Sequence, residues 1–215
     1  GGSLVAAFCQ GCILGAFVQG VKVDGRNFSG GPFDWLTGFS ILAGIAVVFG
    51  YILLGATWLV MKTEDKTQAW ARKIALASLM LVGIFILLVT FLMPMINNDI
   101  KHFWFNTSAI YYLAIFPVIA LVFFFIIWND LRAKQAEKRP FLLSMGIFLM
   151  CYAGIGLSLY PWMIPFHYTI WQAAASGPGL SLMLVGVVPL LPLILAYTGY
   201  CYYIFRGKTG HEHMY

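Results

Sequence analysis

The sequence predicts an all-α fold, a polytopic transmembrane helical bundle of six helices forming one domain over residues 1–215. Three observations predict it. Six apolar runs each approach the ~20 residues that a helix needs to cross ~30 Å of hydrocarbon. None of the runs carries Asp, Glu, Lys, Arg or His in its interior. Over the whole chain 61% of the 215 residues are hydrophobic and 10% charged, where soluble domains carry about 25% charged residues. Continuous apolar runs can satisfy their backbone in lipid only as helices.

The spans are placed at 2–20, 35–61, 74–96, 109–128, 141–160 and 179–203. In the first, Ala7, Gly11 and Gly15 recur every four residues and Gln19 extends the row, which gives a nearly flat face for close approach of a second helix. Gly44, Gly50 and Gly55 in the second span, and Ala153, Gly154 and Gly156 in the fifth, suggest the same use at less regular spacing. Pro94, Pro117, Pro189 and Pro192 lie within or at the ends of spans, where each removes a backbone donor. A bend is expected near Pro189 and Pro192.

The connections set the orientation. Lys62, Lys66, Arg72 and Lys73 follow the second span, Arg132, Lys134, Lys138 and Arg139 the fourth, and Arg206 and Lys208 the sixth. The opposite connections carry only Lys22, Arg26 and Lys101. By the positive-inside rule the richer side is cytoplasmic, and both ends of the chain lie there. The same clustering beside the spans explains the net charge of +5 as topology rather than as nucleic-acid binding. The connection at 161–178 has no basic residue and includes Trp162 and Trp171, which suits a segment at the membrane interface. The chain opens as Gly1-Gly2-Ser3 directly into an apolar run, which reads as a beginning cut from a longer protein.

Candidate chemistry is sparse. His102 and His167 fall in connections on the less basic side, and His211-Glu212-His213 is a solvated tail without rigid metal-binding geometry. Asp24, Asp34, Glu64, Asp65, Asp99, Asp130, Glu137 and Glu212 all lie outside the predicted spans. Cys9, Cys12, Cys151 and Cys201 lack the spacing of a zinc site or disulfide framework and read as small packing residues. No catalytic, cofactor-binding or metal-binding residue is assigned. Intramembrane ionisable residues build proton relays and ion sites, so their absence points to a chain that supports a neighbour's chemistry.

Particular strings carry a resemblance. Gly50–Glu64, around Trp58, resembles a helix end and loop of subunit II of bd-type quinol oxidases. So does the closing part, with Tyr160-Pro161-Trp162, Pro165, Thr169–Ala175 including Trp171 and Gln172, Leu195–Thr198, and Phe205-Arg206-Gly207-Lys208. The opening Gly2–Gly11 and the loop Gly31–Leu36 resemble the cyanide-insensitive branch. Departures occur at Gln172, where some relatives carry an acid, and at Pro165-Phe166-His167.

The resemblance implies that this chain corresponds to the last six of eight helices. The first two would include the acidic residues linked to proton uptake. It also implies a multi-pass protein of the bacterial inner membrane, a partner subunit I that carries the b- and d-type haems, and contact with the quinone pool. A structural quinone on subunit II is a further implication. The whole complex would oxidise membrane quinol and reduce oxygen to water. Trp58, Trp162, Pro165, Thr169, Trp171 and Gln172 are expected as structural or interface residues, and Arg206, Gly207 and Lys208 as the cytoplasmic stop. A small secondary transporter and an assembly or anchor subunit without a redox role are the competing readings, the first because Gly- and Pro-interrupted helices can line a substrate path.

Overall fold

The computed structural model describes residues 1–25, 27–96, 101–102, 104–105, 109–134, 136–165 and 167–204. Helix α1 spans Gly2–Gln19 and is followed by a short hairpin, β1 (Val23–Asp24) with β2 (Asn27–Phe28). Helices α2 (Gly38–Lys62) and α3 (Asp65–Ile96) form a long antiparallel pair. The short α4 (Ala109–Leu113) leads into α5 (Ile115–Ala133), and α6 (Arg139–Leu159) returns beside it. A second hairpin, β3 (Trp162–Ile164) with β4 (Tyr168–Thr169), precedes the single-turn α7 (Ile170–Ala173) and the last helix, α8 (Gly177–Ile204). Among the described residues six helical segments are long and apolar enough to cross a membrane, so the chain is an all-α multi-pass membrane protein.

Boundaries depart from the sequence expectation where polar residues propagate a helix beyond the hydrocarbon. α3 begins at Asp65 rather than near 74, so Lys66, Arg72 and Lys73 are helical and only Thr63 and Glu64 separate α2 from α3. Gln, Ala, Arg and Lys in 66–73 are good helix formers, and their long side chains reach toward water from a helix end. α5 likewise runs to Ala133, which places Asp130 inside a spanning helix rather than beyond it. The fourth span is interrupted at Ala114. Pro117 has no N–H for the Leu113 carbonyl four residues earlier, so the ladder cannot pass through that point unbroken. Pro94, Pro189 and Pro192 sit inside helices that continue through them.

Small residues decide the helix contacts. An added methyl at Gly11 would stand 2.6 Å from both the Ala43 carbonyl oxygen and the Gly44 Cα. One at Gly15 would meet Ser40 Cα at 2.7 Å. The row of small residues on α1 is therefore the surface on which α2 rides, as the four-residue spacing predicts. Elsewhere glycine receives phenylalanine: Gly50 lies under Phe148, Gly83 under Phe124 and Gly146 under Phe123. Gly44 packs on Cys12 and Phe8, whereas Gly55 and Gly156 meet nothing within 4 Å among the described residues.

Two apolar clusters result. The larger, at the basic end, joins Leu53 and Val60 of α2, Ala71 and Leu79 of α3, Ile127 and Leu131 of α5 and Ile147 of α6. The smaller, toward the other end, holds Val18, Phe39, Met93 and Leu159. No residue of α8 is buried in this chain.

Candidate functional site

The residues singled out from the sequence fall into two places. At the less basic end, Trp162 pairs with Thr169 and Ile164 with Tyr168 across the β3–β4 hairpin. The turn closes by the His167 N–H donating to the Ile164 carbonyl at 3.1 Å. Pro165 is fully buried at the turn. Thr169 and Gln172 cap α7 reciprocally: the Thr169 N–H donates to Gln172 Oε1 at 3.0 Å, and the Gln172 N–H donates to Thr169 Oγ1 at 3.4 Å. This is the capping-box arrangement of Thr and Gln three residues apart, a spacing legible in the sequence. Trp171 is 67% exposed and meets Tyr160 edge to face. Phe166 lies outside the described residues.

This hairpin is tied to the first. The Tyr168 hydroxyl donates to the Gly25 carbonyl at 2.7 Å, across 143 residues of chain. Between β2 and α2 the Trp35 indole N–H donates to the Pro32 carbonyl at 2.9 Å, and Lys22 pairs with Asp34 at 3.2 Å. The Lys22 ammonium, with a backbone hydrogen bond from Gly31, holds the Asp34 carboxyl below its ordinary value. Thr37 then caps α2 with Ser40 and donates its hydroxyl to Gln19 Oε1, binding the end of α1 to the start of α2. The connection at 161–178, expected as an interfacial aromatic segment, thus contains a hydrogen-bonded hairpin that is tied to the hairpin between α1 and α2.

At the basic end Trp58 meets Phe141 of α6 and Tyr202 of α8 edge to face, with ring centroids 5.0 and 5.7 Å away. The Lys62 ammonium lies 5.3 Å above the Trp58 ring. Trp58 therefore touches two other helices as well as supporting the charge that ends its own. Arg206, Gly207 and Lys208, the expected stop beyond α8, lie outside the described residues, as do Arg26, Asp99 and the His211-Glu212-His213 tail.

Sequence reasoning missed the polar contacts between the two helical hairpins. Thr57 of α2 and Ser144 of α6, both fully buried, share a 3.1 Å hydrogen bond. Gln68 Nε2 donates to Glu137 Oε1 at 3.0 Å. Within the α5–α6 hairpin, Asp130, 5% exposed, lies 3.4 Å from Arg139 Nε. Isolated Thr and Ser in apolar runs were the available signal, since such hydroxyls join helices in lipid.

His167 Nδ1 is 3.1 Å from the Pro165 carbonyl and His102 is exposed, both outside the spans. Among the described residues no group of three or more His, Cys, Asp or Glu is placed to hold a metal. Cys12 is buried but Cys9 is exposed, so Cys9 does not pack within this chain. A groove on α8 is lined by Val187, Leu190, Leu191, Ile194 and Leu195. It offers an apolar tail a shallow surface but a quinone ring no hydrogen-bond donor.

Residues 1–205 match the family described as cytochrome bd terminal oxidase subunit II. The chain is 25% identical to cytochrome bd-I ubiquinol oxidase subunit 2 of Escherichia coli K12, over 98% of this chain and 64% of that protein. It is 25% identical to the probable cytochrome oxidase subunit 2 of Haemophilus influenzae, over 96% of this chain and 63% of the relative. For cytochrome bd ubiquinol oxidase subunit 2 of Bacillus subtilis the identity is 22%, over 98% and 62%. The chain thus spans somewhat less than two thirds of the length of these relatives. With the match running through every helix described above, the chain belongs to the cytochrome bd terminal oxidase subunit II family.

Proposed function

We propose that this chain is part of the non-haem subunit of a bd-type terminal oxidase, which supports a haem-bearing subunit I as the complex oxidises membrane quinol and reduces oxygen to water. The observation that carries this reading is the family match over residues 1–205. Spans without ionisable residues in their apolar interiors agree with it. The residues present do not fit haem ligation through imidazole, because both described histidines lie outside the spans and His167 is engaged in the β3–β4 turn. What the chain supplies is shape: a close-packed α1–α2–α3 body, an ordered hairpin cap and an apolar last helix.

The distribution of basic residues supports an inner-membrane topology with Lys62, Lys66, Lys73, Arg132, Lys134, Lys138 and Arg139 on the cytoplasmic side and the hairpins outside. The subunit then meets lipid, the quinone pool and subunit I, and its C-terminus lies in the cytoplasm. Separating the purified oxidase into subunits and recording optical spectra tests the assignment. All haem absorbance is expected with the partner, and haem retained by this chain alone refutes it. In the complex, Trp171→Ala is expected to lower assembled yield while turnover per assembled enzyme stays near wild type, measured by quinol-dependent oxygen uptake.

A further inference from the structure

Two buried charged side chains whose chain neighbours belong to the larger apolar cluster each enclose one polar atom without a hydrogen-bond partner among the described residues. Arg72 is 7% exposed, and its Nη1 is enclosed without a hydrogen-bond partner among the described residues. Asp130 is 5% exposed. Its Oδ2 also lacks a hydrogen-bond partner, because the 3.4 Å approach of Arg139 Nε is an ion pair by distance that misses hydrogen-bond geometry. The Arg139 side chain is 59% exposed, so much of its charge faces outward. An uncompensated buried charge is among the costliest defects a fold can hold, and more so beside hydrocarbon.

The placement of the two residues relates them. Gln68 and Arg72 are four apart on α3 and so lie one above the other on the same face. Gln68 reaches the Val60 carbonyl at 3.0 Å and Glu137, in the α5–α6 connection, at 3.0 Å, which fixes the direction of that face. One turn deeper, Arg72 stands between Ala71 and Ala75, and both alanines share a cluster with Ile127 and Leu131. Those two residues flank Asp130 on α5. A donor-only guanidinium on α3 and an acceptor-only carboxylate on α5 are thus carried beside residues that pack into one cluster. Water, both donor and acceptor, satisfies the two together.

We propose that Arg72 and Asp130 form a single buried ion pair, closed through a bound-water site, that ties the α2–α3 hairpin to the α5–α6 hairpin at the basic end. The inference does not depend on the oxidase chemistry. The test is a double-mutant cycle in the complete protein purified with its membrane partners, read as the thermal unfolding midpoint of this subunit. Arg72→Met and Asp130→Asn are each expected to lower the midpoint by several degrees. The double variant should fall no lower than the worse single, and the exchange Arg72→Asp with Asp130→Arg should recover at least half the loss. Additive losses overturn the proposal. If neither single variant accumulates, accumulation of the double supports the pair and its failure overturns it. A density map of the wild-type complex should place solvent within hydrogen-bonding distance of both groups. A lipid phosphate on the Arg72 guanidinium instead would sink the idea.

Discussion

Helices α1 and α8 share the composition of membrane spans, and α8 is the more apolar of the two. Only α1 is seated in this chain. Ala7, Gly11, Cys12, Gly15 and Val18 of α1 are buried, whereas α8 has no buried residue and meets the body through Trp58 and Tyr202. The difference teaches that hydropathy governs partition into lipid, while contact between helices there depends on surface shape. Lipid tails are as apolar as leucine, so close approach and hydrogen bonds hold helices together. The glycines of α1 allow backbone contact with α2. Gly186 and Gly199 of α8 have open space around them.

The largest expected effect breaks the comparison directly. Gly11→Leu places a side chain where even a methyl would stand 2.6 Å from the α2 backbone, so the protein should fail to accumulate in membranes. Gly186→Leu on α8 meets nothing and should leave accumulation unchanged, as quantitative immunoblotting of membrane fractions would measure. Equal losses would mean that α8 is as tightly seated as α1.

A smaller effect is expected at the tie between α1 and α2. Thr37→Ala removes the α2 cap and the bond to Gln19, and loss of a cap costs about 1 kcal/mol. The unfolding midpoint should drop while the packing of α8 is untouched. Trp58→Ala acts in the opposite sense. It removes the edge contact with Tyr202, a class of pair worth about 0.5–1.5 kcal/mol. Maleimide labelling of Cys201, only partly exposed, should accelerate, while labelling of the buried Cys12 should not.

The smallest effect concerns pH and the connection that leads from α1 to α2. The Asp34 carboxyl is held below its ordinary value by Lys22 first and by the Gly31 backbone hydrogen bond second. A carboxyl depressed in the folded state stabilises above its unfolded pKa and loses that contribution as pH falls through the folded value. Trp35 fluorescence should therefore stay flat from neutral pH down to the ordinary carboxylate range, shift below it, and lose that shift in Asp34→Asn. The pair is exposed, so the change is local.

Much of the candidate site was legible one residue at a time and little of it as geometry. Thr169 and Gln172 carry a capping spacing that the sequence displays. The bond from Tyr168 to Gly25 joins positions too far apart for any local pattern to relate. Asp130 read as a loop carboxylate because the apolar run ends before it, yet α5 continues for another turn and buries it. Hydrophobic length marks where lipid ends, while backbone hydrogen bonding decides where a helix ends.

The sequence by itself determined that this chain enters the membrane as six helices, which side collects the basic residues, and that α1 offers a flat face. Those properties follow from transfer free energy and the 3.6-residue helical repeat, both local to each segment. Tertiary structure alone decided that α2 occupies that face, that two hairpins cap one end, that Arg72 and Asp130 are buried, and that α8 has no buried residue within this chain. Those outcomes depend on which surfaces meet, and in lipid the fit between two helices belongs to neither helix alone.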